Sequence, residues 1–172
     1  MPVGLHLTRS RDDVRVNPMA YPLLLHAKHR DADVIYQPIG PWIVPWRFQS
    51  LEREYRALQD GVGLIDDSTW GCIEVQGADR ATFLHRLLSN DITRLAPGQG
   101  CEAALLSPNA KLIAVFLVLV DVSSIWLLCD ADRTTTVLHA LERYHCTEQV
   151  SLIDHERQTA VLALQGRTHR HA

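Results

Sequence analysis

Residues 54–77, EYRALQDGVGLIDDSTWGCIEVQG, set the layout of the chain. Leu51, Tyr55 and Leu58 recur at helical spacing behind Ser50, a good capping residue, and Gly61 and Gly63 stop the run. Leu64-Ile65 and residues 73–76 then read as strands bracketing a polar loop, Asp66-Asp67-Ser68-Thr69-Trp70-Gly71. From the residues alone that loop has two readings. It is a capped connection with Trp70 packed into the core, or its hydrogen-bonding groups and indole make one wall for a flat heterocycle.

Working outward, 77–90 reads as a helix capped by Asp79, striped by Phe83, Leu84, Leu87 and Leu88 and closed by Asn90. Residues 101–106 and 111–120 are strands around a tight turn at 107–110, and the second pairs through 121–124 with 125–129. A helix follows over 130–145, starting at Asp130 or Asp132, with Val137, Leu138, Leu141 and Tyr144 on one face; 159–164 is a last strand. Upstream, Pro22 suits the first turn of a short helix over 21–30. Residues 37–48, with three prolines plus Trp42 and Trp46, should instead be an extended segment wrapped over a domain surface. The expected organisation is a mobile leader over 1–20, one domain over 21–166 and a disordered tail over 167–172. Hairpins mixed with helices give an α+β fold, a mostly antiparallel sheet with helices packed on one side.

At 172 residues, 47% hydrophobic and 22% charged, the composition is ordinarily globular. A net charge of -3 supplies no basic stripe, so no nucleic-acid partner is expected. The most apolar run, Leu112–Val120, is too short to span a bilayer, and Arg9, Arg11, Asp12 and Asp13 occupy the place of a secretory apolar core. A cytoplasmic location with no membrane partner is the resulting expectation. Cys72, Cys101, Cys129 and Cys146 are widely spaced and read as reduced core or half-buried thiols. His26 and His29 share helical spacing but lack a third ligand nearby, His169 and His171 sit in the tail, and no metal is assigned. Tyr144-His145-Cys146 closes a helix, where an imidazole meeting the dipole is the simpler account. Ser68 lies outside any Gly-x-Ser-x-Gly turn, which removes support for a covalent hydrolase.

The 54–77 stretch resembles the entry to the folate-binding domain of the aminomethyltransferase family, which includes the glycine cleavage T protein and the folate-binding iron-sulfur-cluster maintenance proteins. The likeness continues through FLHRLLSNDITRLAPGQGCEAALLSPNAKLIAVFLVLV (83–120) and LERYHCTEQVSLIDHERQTAVLALQG (141–166). PLLLHAKHRDADVIYQPIGPWIVPWRF (22–48) looks like the opening of the T protein. Trp70 and Gly98-Gln99-Gly100-Cys101 look closer to the maintenance branch.

The resemblance implies half of a cloverleaf in which folate fills a central hole, with reduced folate (tetrahydrofolate) as ligand. It implies Trp70, Glu102, Val115, Leu128 and Asp130 as folate-facing positions. Asp130 has two readings, a hydrogen-bond acceptor for the pterin's amino and amide groups or a cap for the next helix. Glu102 stands where a tyrosine is common. Ala114-Val115 replaces an Asp-Asp pair whose second carboxylate orients the accepting nitrogen, so weak or absent catalysis is expected, and no catalytic residue is assigned. Family members continue well past a Leu-Gln-Gly-Pro phrase, whereas here Leu164-Gln165-Gly166 is followed by six residues. That leads to three functional expectations: a folate binder of the maintenance type, a one-carbon transferase completed by a chain supplying the missing half, or a non-catalytic assembly module or gene fragment that self-associates through an uncovered sheet face.

Overall fold

A computed structural model describes residues 20–29, 34–155 and 157–166. The expected tail, and the leader apart from Ala20, lie outside these residues. In chain order the elements are β1 (Tyr21–Pro22), a 3-10 turn at His26–His29, β2 (Ile35–Ile39), β3 (Trp42–Arg47), α1 (Leu51–Asp60), β4 (Val62–Asp66), β5 (Trp70–Gln76) and α2 (Arg80–Leu87). Then come β6 (Gly100–Leu106), β7 (Leu112–Val120), β8 (Ser124–Asp130), a 3-10 turn at Ala131–Arg133, α3 (Thr134–Glu142), β9 (Ser151–Asp154) and β10 (Leu162–Gly166).

The 21–30 helix does not form. Tyr21 donates its N–H to the Pro41 carbonyl at 2.7 Å, β1 runs parallel to the start of β3, and Leu23 buries itself with Trp42 and Val44. Only one 3-10 turn remains, because apolar burial against the hairpin outweighs the first-turn preference of Pro22. The wrapped 37–48 segment is that hairpin, β2 antiparallel to β3, with Pro38 and Pro45 in its strands.

Helix α1 begins as its residues dictate. Ser50 Oγ accepts the Arg53 N–H at 3.4 Å, and Glu54 reaches back to accept the N–H groups of Phe48 and Gln49 at 2.6 and 2.8 Å. It packs on a two-stranded ribbon of β4 and β10, Leu58 lying over Gly63. Val62, Leu64, Leu162 and Leu164 of that ribbon are exposed.

The main sheet has the order β6-β7-β8-β5-β9, every neighbouring pair antiparallel. Helices α2 and α3 cover one face. Phe83, Leu84, Val137 and Leu141 from the helices meet Ile73, Val75, Phe116, Val118, Ile125 and Leu127 from the strands, all essentially solvent-free. Because strand side chains alternate, β7 sends Ala114, Phe116 and Val118 into this core and leaves Val115, Leu117 and Leu119 on the opposite, partly open face.

Several boundaries shift. The 77–90 helix stops at Leu87, since Leu88 turns extended and bridges to Leu105. Asp79 occupies the cap position but its carboxylate accepts the Gln149 N–H at 2.8 Å instead of capping, fastening α2 to the approach of β9. The 130–145 helix shortens to α3, because Asp130 still belongs to β8 and 131–133 form a 3-10 turn. His145 therefore lies beyond the helix, where the Glu148 carbonyl and the Glu142 carboxylate, at 3.0 and 3.3 Å, raise its pKa. The last strand starts at Leu162, not at 159, and β9 is an element missed in the sequence.

Glu148 supplies a pH prediction. Arg86, then the Cys146 and Thr147 N–H groups, hold its carboxyl down from the ordinary 4.5 to about 2. A carboxylate with a depressed folded-state pKa contributes stability above its unfolded value and loses it as pH falls through the folded value. The urea midpoint of the wild type should therefore fall between about pH 5 and about pH 2 more steeply than that of Glu148→Gln; equal slopes would refute the assignment.

The four cysteines are unpaired. Cys72 and Cys129 are buried and Cys101 half-buried, as expected, but Cys146 is exposed on the loop after α3. Burial pushes the Cys129 thiol up to about 11 and raises Cys72 and Cys101 in the same direction. No helix of the described residues is long and apolar enough to cross a membrane.

Candidate functional site

The register of the main sheet gathers residues distant in sequence. Trp70 on β5 lies opposite Asp130 on β8, Leu128 on β8 opposite Leu117 on β7, Leu117 opposite Glu102 on β6, and Val115 opposite Ala104. Alternation sends Trp70, Asp130, Val115, Leu117 and Glu102 to the face that α2 and α3 leave uncovered. There Trp70, Glu102, Val115, Leu117 and Asp130, with Phe116, line one cavity of about 130 Å³.

Trp70 is not in a loop, because β5 starts with it; only 67–69 form the connection. Its indole N–H donates to the Asp67 carboxylate at 2.8 Å, which fixes the ring plane from behind. The other polar groups of the stretch are structural. Asp66 is buried and accepts from the Ser68 N–H and hydroxyl at 3.2 and 2.5 Å, while its second oxygen lies 3.2 Å from His29. Ser68 Oγ accepts the Val161 N–H at 3.1 Å, tying the turn to the residue before β10. Gly71 is required next to Trp70, since a Cβ there would overlap the Thr134 hydroxyl where α3 presses on β5.

Of the two readings of Asp130, capping is not the one adopted: its side chain makes no cap hydrogen bond to the following 3-10 turn, and the carboxylate borders the cavity. Among the described residues neither Asp130 nor Glu102 has an ion-pair partner; the neighbouring Arg133 turns to Asp132 at 3.9 Å. Leu128 departs from expectation. It is buried against its strand neighbours on the same face and does not line the cavity. Ala114 points into the core, while Val115 presents only methyl groups at the cavity. Leu117 and the anchoring Asp67 were missed in the sequence; the alternation of 112–120 would have put Leu117 beside Val115, whereas nothing in the spacing reveals Asp67.

A second groove of about 350 Å³ runs between β3, α1 and β4, lined by Trp46, Phe48, Leu58, Leu64 and Ile65. It holds no residue singled out as folate-facing. No group of His, Cys, Asp or Glu side chains among the described residues is arranged to hold a metal ion.

The model of the GCVT N-terminal domain matches residues 25–171. The chain belongs to that family. Relatives include the aminomethyltransferases of Bacillus subtilis (strain 168), 31% identical over 127 residues covering 74% of this chain and 35% of that one, and of Mycobacterium leprae (strain Br4923), 30% identical over 143 residues covering 83% and 39%. The chain thus spans a little over a third of the length of these relatives. The crystal structure of glycine cleavage system aminomethyltransferase T from Bartonella henselae superposes with a TM-score of 0.70 at 23% identity, over 85% of this chain and 40% of that one. This likeness establishes the α+β, mostly antiparallel fold of the GCVT N-terminal domain here.

Proposed function

We propose that the open face of the main sheet is one wall of a tetrahydrofolate site, and that this chain's own residues bind and orient the pterin without promoting one-carbon transfer. The observation carrying this is the meeting of Trp70, Asp130 and Val115 around one cavity. The fit is chemical. A fixed indole offers a flat apolar surface, a carboxylate with no ion pair among the described residues accepts from amino and amide N–H groups, and Val115 and Leu117 form an apolar floor. Bound tetrahydrofolate would supply a ring nitrogen able to carry a one-carbon unit. No carboxylate stands at Ala114-Val115 to stabilise charge on that nitrogen. At about 130 Å³ the cavity is smaller than the roughly 300–1,000 Å³ that enclose a ligand, so it takes one side of the two-ring system and other surfaces must cover the rest.

Calorimetric titration with tetrahydrofolate tests the reading. Wild type should bind, and Trp70→Ala should bind about tenfold more weakly through lost stacking. A folded wild type that gives no heat at millimolar ligand would refute it. The finer assignment to the iron-sulfur maintenance type rests on Trp70 and on residues 98–101, and an iron-sulfur client would test it.

A second reading has two observations in its favour. The apolar ribbon face of Val62, Leu64, Leu162 and Leu164 is uncovered, and the relatives found are named aminomethyltransferases. On this reading another polypeptide, or a second copy, covers the ribbon, and a polypeptide matching the rest of the relatives' length completes a transferase. A monomer in size-exclusion chromatography counts against self-association, and a reconstituted pair that forms no methylene-folate rejects the transferase.

A further inference from the structure

We propose that Glu102 makes this cavity selective for a reduced pterin over its fully oxidised form. The inference rests on the folate reading and extends it to the redox state of the ligand. Asp130 and Glu102 border the same cavity from strands β8 and β6, with Val115 and Leu117 of β7 between them. Two strand spacings and a two-residue offset along the strands separate their backbones by about 12 Å, roughly the span of a two-ring heterocycle with its hydrogen bonds. Neither carboxylate is neutralised by an ion pair among the described residues, and no Lys, Arg or His lines the cavity.

An ionised carboxylate only accepts hydrogen bonds. Both redox forms of a pterin carry a 2-amino group and an amide N–H, so a carboxylate meeting that edge, the role given to Asp130, cannot distinguish them. The other ring differs. Its two nitrogens carry hydrogens in the tetrahydro form and are bare acceptors in the oxidised form. A second carboxylate set one ring-length away, at the ring nitrogen that does not carry the one-carbon unit, therefore gains a charge-assisted hydrogen bond from the reduced ligand and meets lone-pair repulsion from the oxidised one. Glu102 occupies that place. Its exposure keeps it out of the core, so its exchange leaves folding intact.

The test compares tetrahydrofolate with folic acid by calorimetric titration of wild type, Glu102→Gln and Asp130→Asn under anaerobic, reducing conditions. Wild type should prefer tetrahydrofolate. Glu102→Gln, whose amide can donate to a bare nitrogen, should narrow that preference by about tenfold with an unchanged urea midpoint. Asp130→Asn should weaken both ligands alike. Tetrahydrofolate binding with the preference unchanged in Glu102→Gln overturns this inference alone. No binding of either ligand by folded wild type overturns the folate reading and this inference with it.

Discussion

Gly77→Ala should lose at least about 3 kcal/mol of stability, read as a lower urea midpoint and a Tm reduced by about 6–12 °C. Gly77 joins β5 to α2 with φ +107°, a backbone state that side chains disfavour by about 1–3 kcal/mol. A Cβ there would also overlap the Gln149 carbonyl oxygen and crowd the Val150 backbone. Neither neighbour can withdraw cheaply. The Gln149 N–H is held by Asp79, and its carbonyl accepts the Asp79 N–H at 3.3 Å, so displacement opens this reciprocal clasp and slackens the lead into β9. Gly98 is the control: its φ is +83°, but nothing lies within 4 Å of its added Cβ. Gly98→Ala should cost only the backbone term, and equal losses at both positions would refute the steric account.

Phe116→Ala should cost about 3–5 kcal/mol, a large part of the roughly 5–15 kcal/mol that holds a domain folded. The ring is 1% exposed and faces the helices, opposite Ala103 and beside Ala114 on its own strand. Those small neighbours sit on hydrogen-bonded strands and cannot collapse into the vacated space. The adjacent Val115, 54% exposed on the other face, should lose only a few tenths of a kcal/mol as Val115→Ala. Paired denaturation curves check the contrast. Similar losses at 115 and 116 would mean that the two faces are not inequivalent as described.

Much of this architecture could be read from local chemistry. The Ser50 cap, the glycine stop after α1 and the apolar alternation of 112–120 each act over a few residues, so spacing was enough to find them. What escaped depends on partners far along the chain. Pro22 reads as a helix start until Pro41, just before β3, offers Tyr21 a carbonyl and β3 offers Leu23 an apolar shelter. β9 is a four-residue edge strand ordered by pairing with β5. Asp79 and Asp130 carry the residue type of a cap, yet one is drawn to Gln149 and the other stays at a strand end. The candidate site shows the same division. Resemblance singled out Trp70, Glu102, Val115 and Asp130 one by one, but their convergence, and the exclusion of Leu128 from it, is a matter of register that no single segment encodes.

The distribution of sulfur has its own consequence. With the Cys72 and Cys129 thiols buried on opposite faces of the sheet and disinclined to ionise, an oxidant or alkylating reagent encountering the folded chain meets Cys146 before either of them. Damage to the interior thus has to wait for unfolding, while a tag on that outlying thiol would sit on the loop after α3 and leave the indole and its two carboxylates untouched.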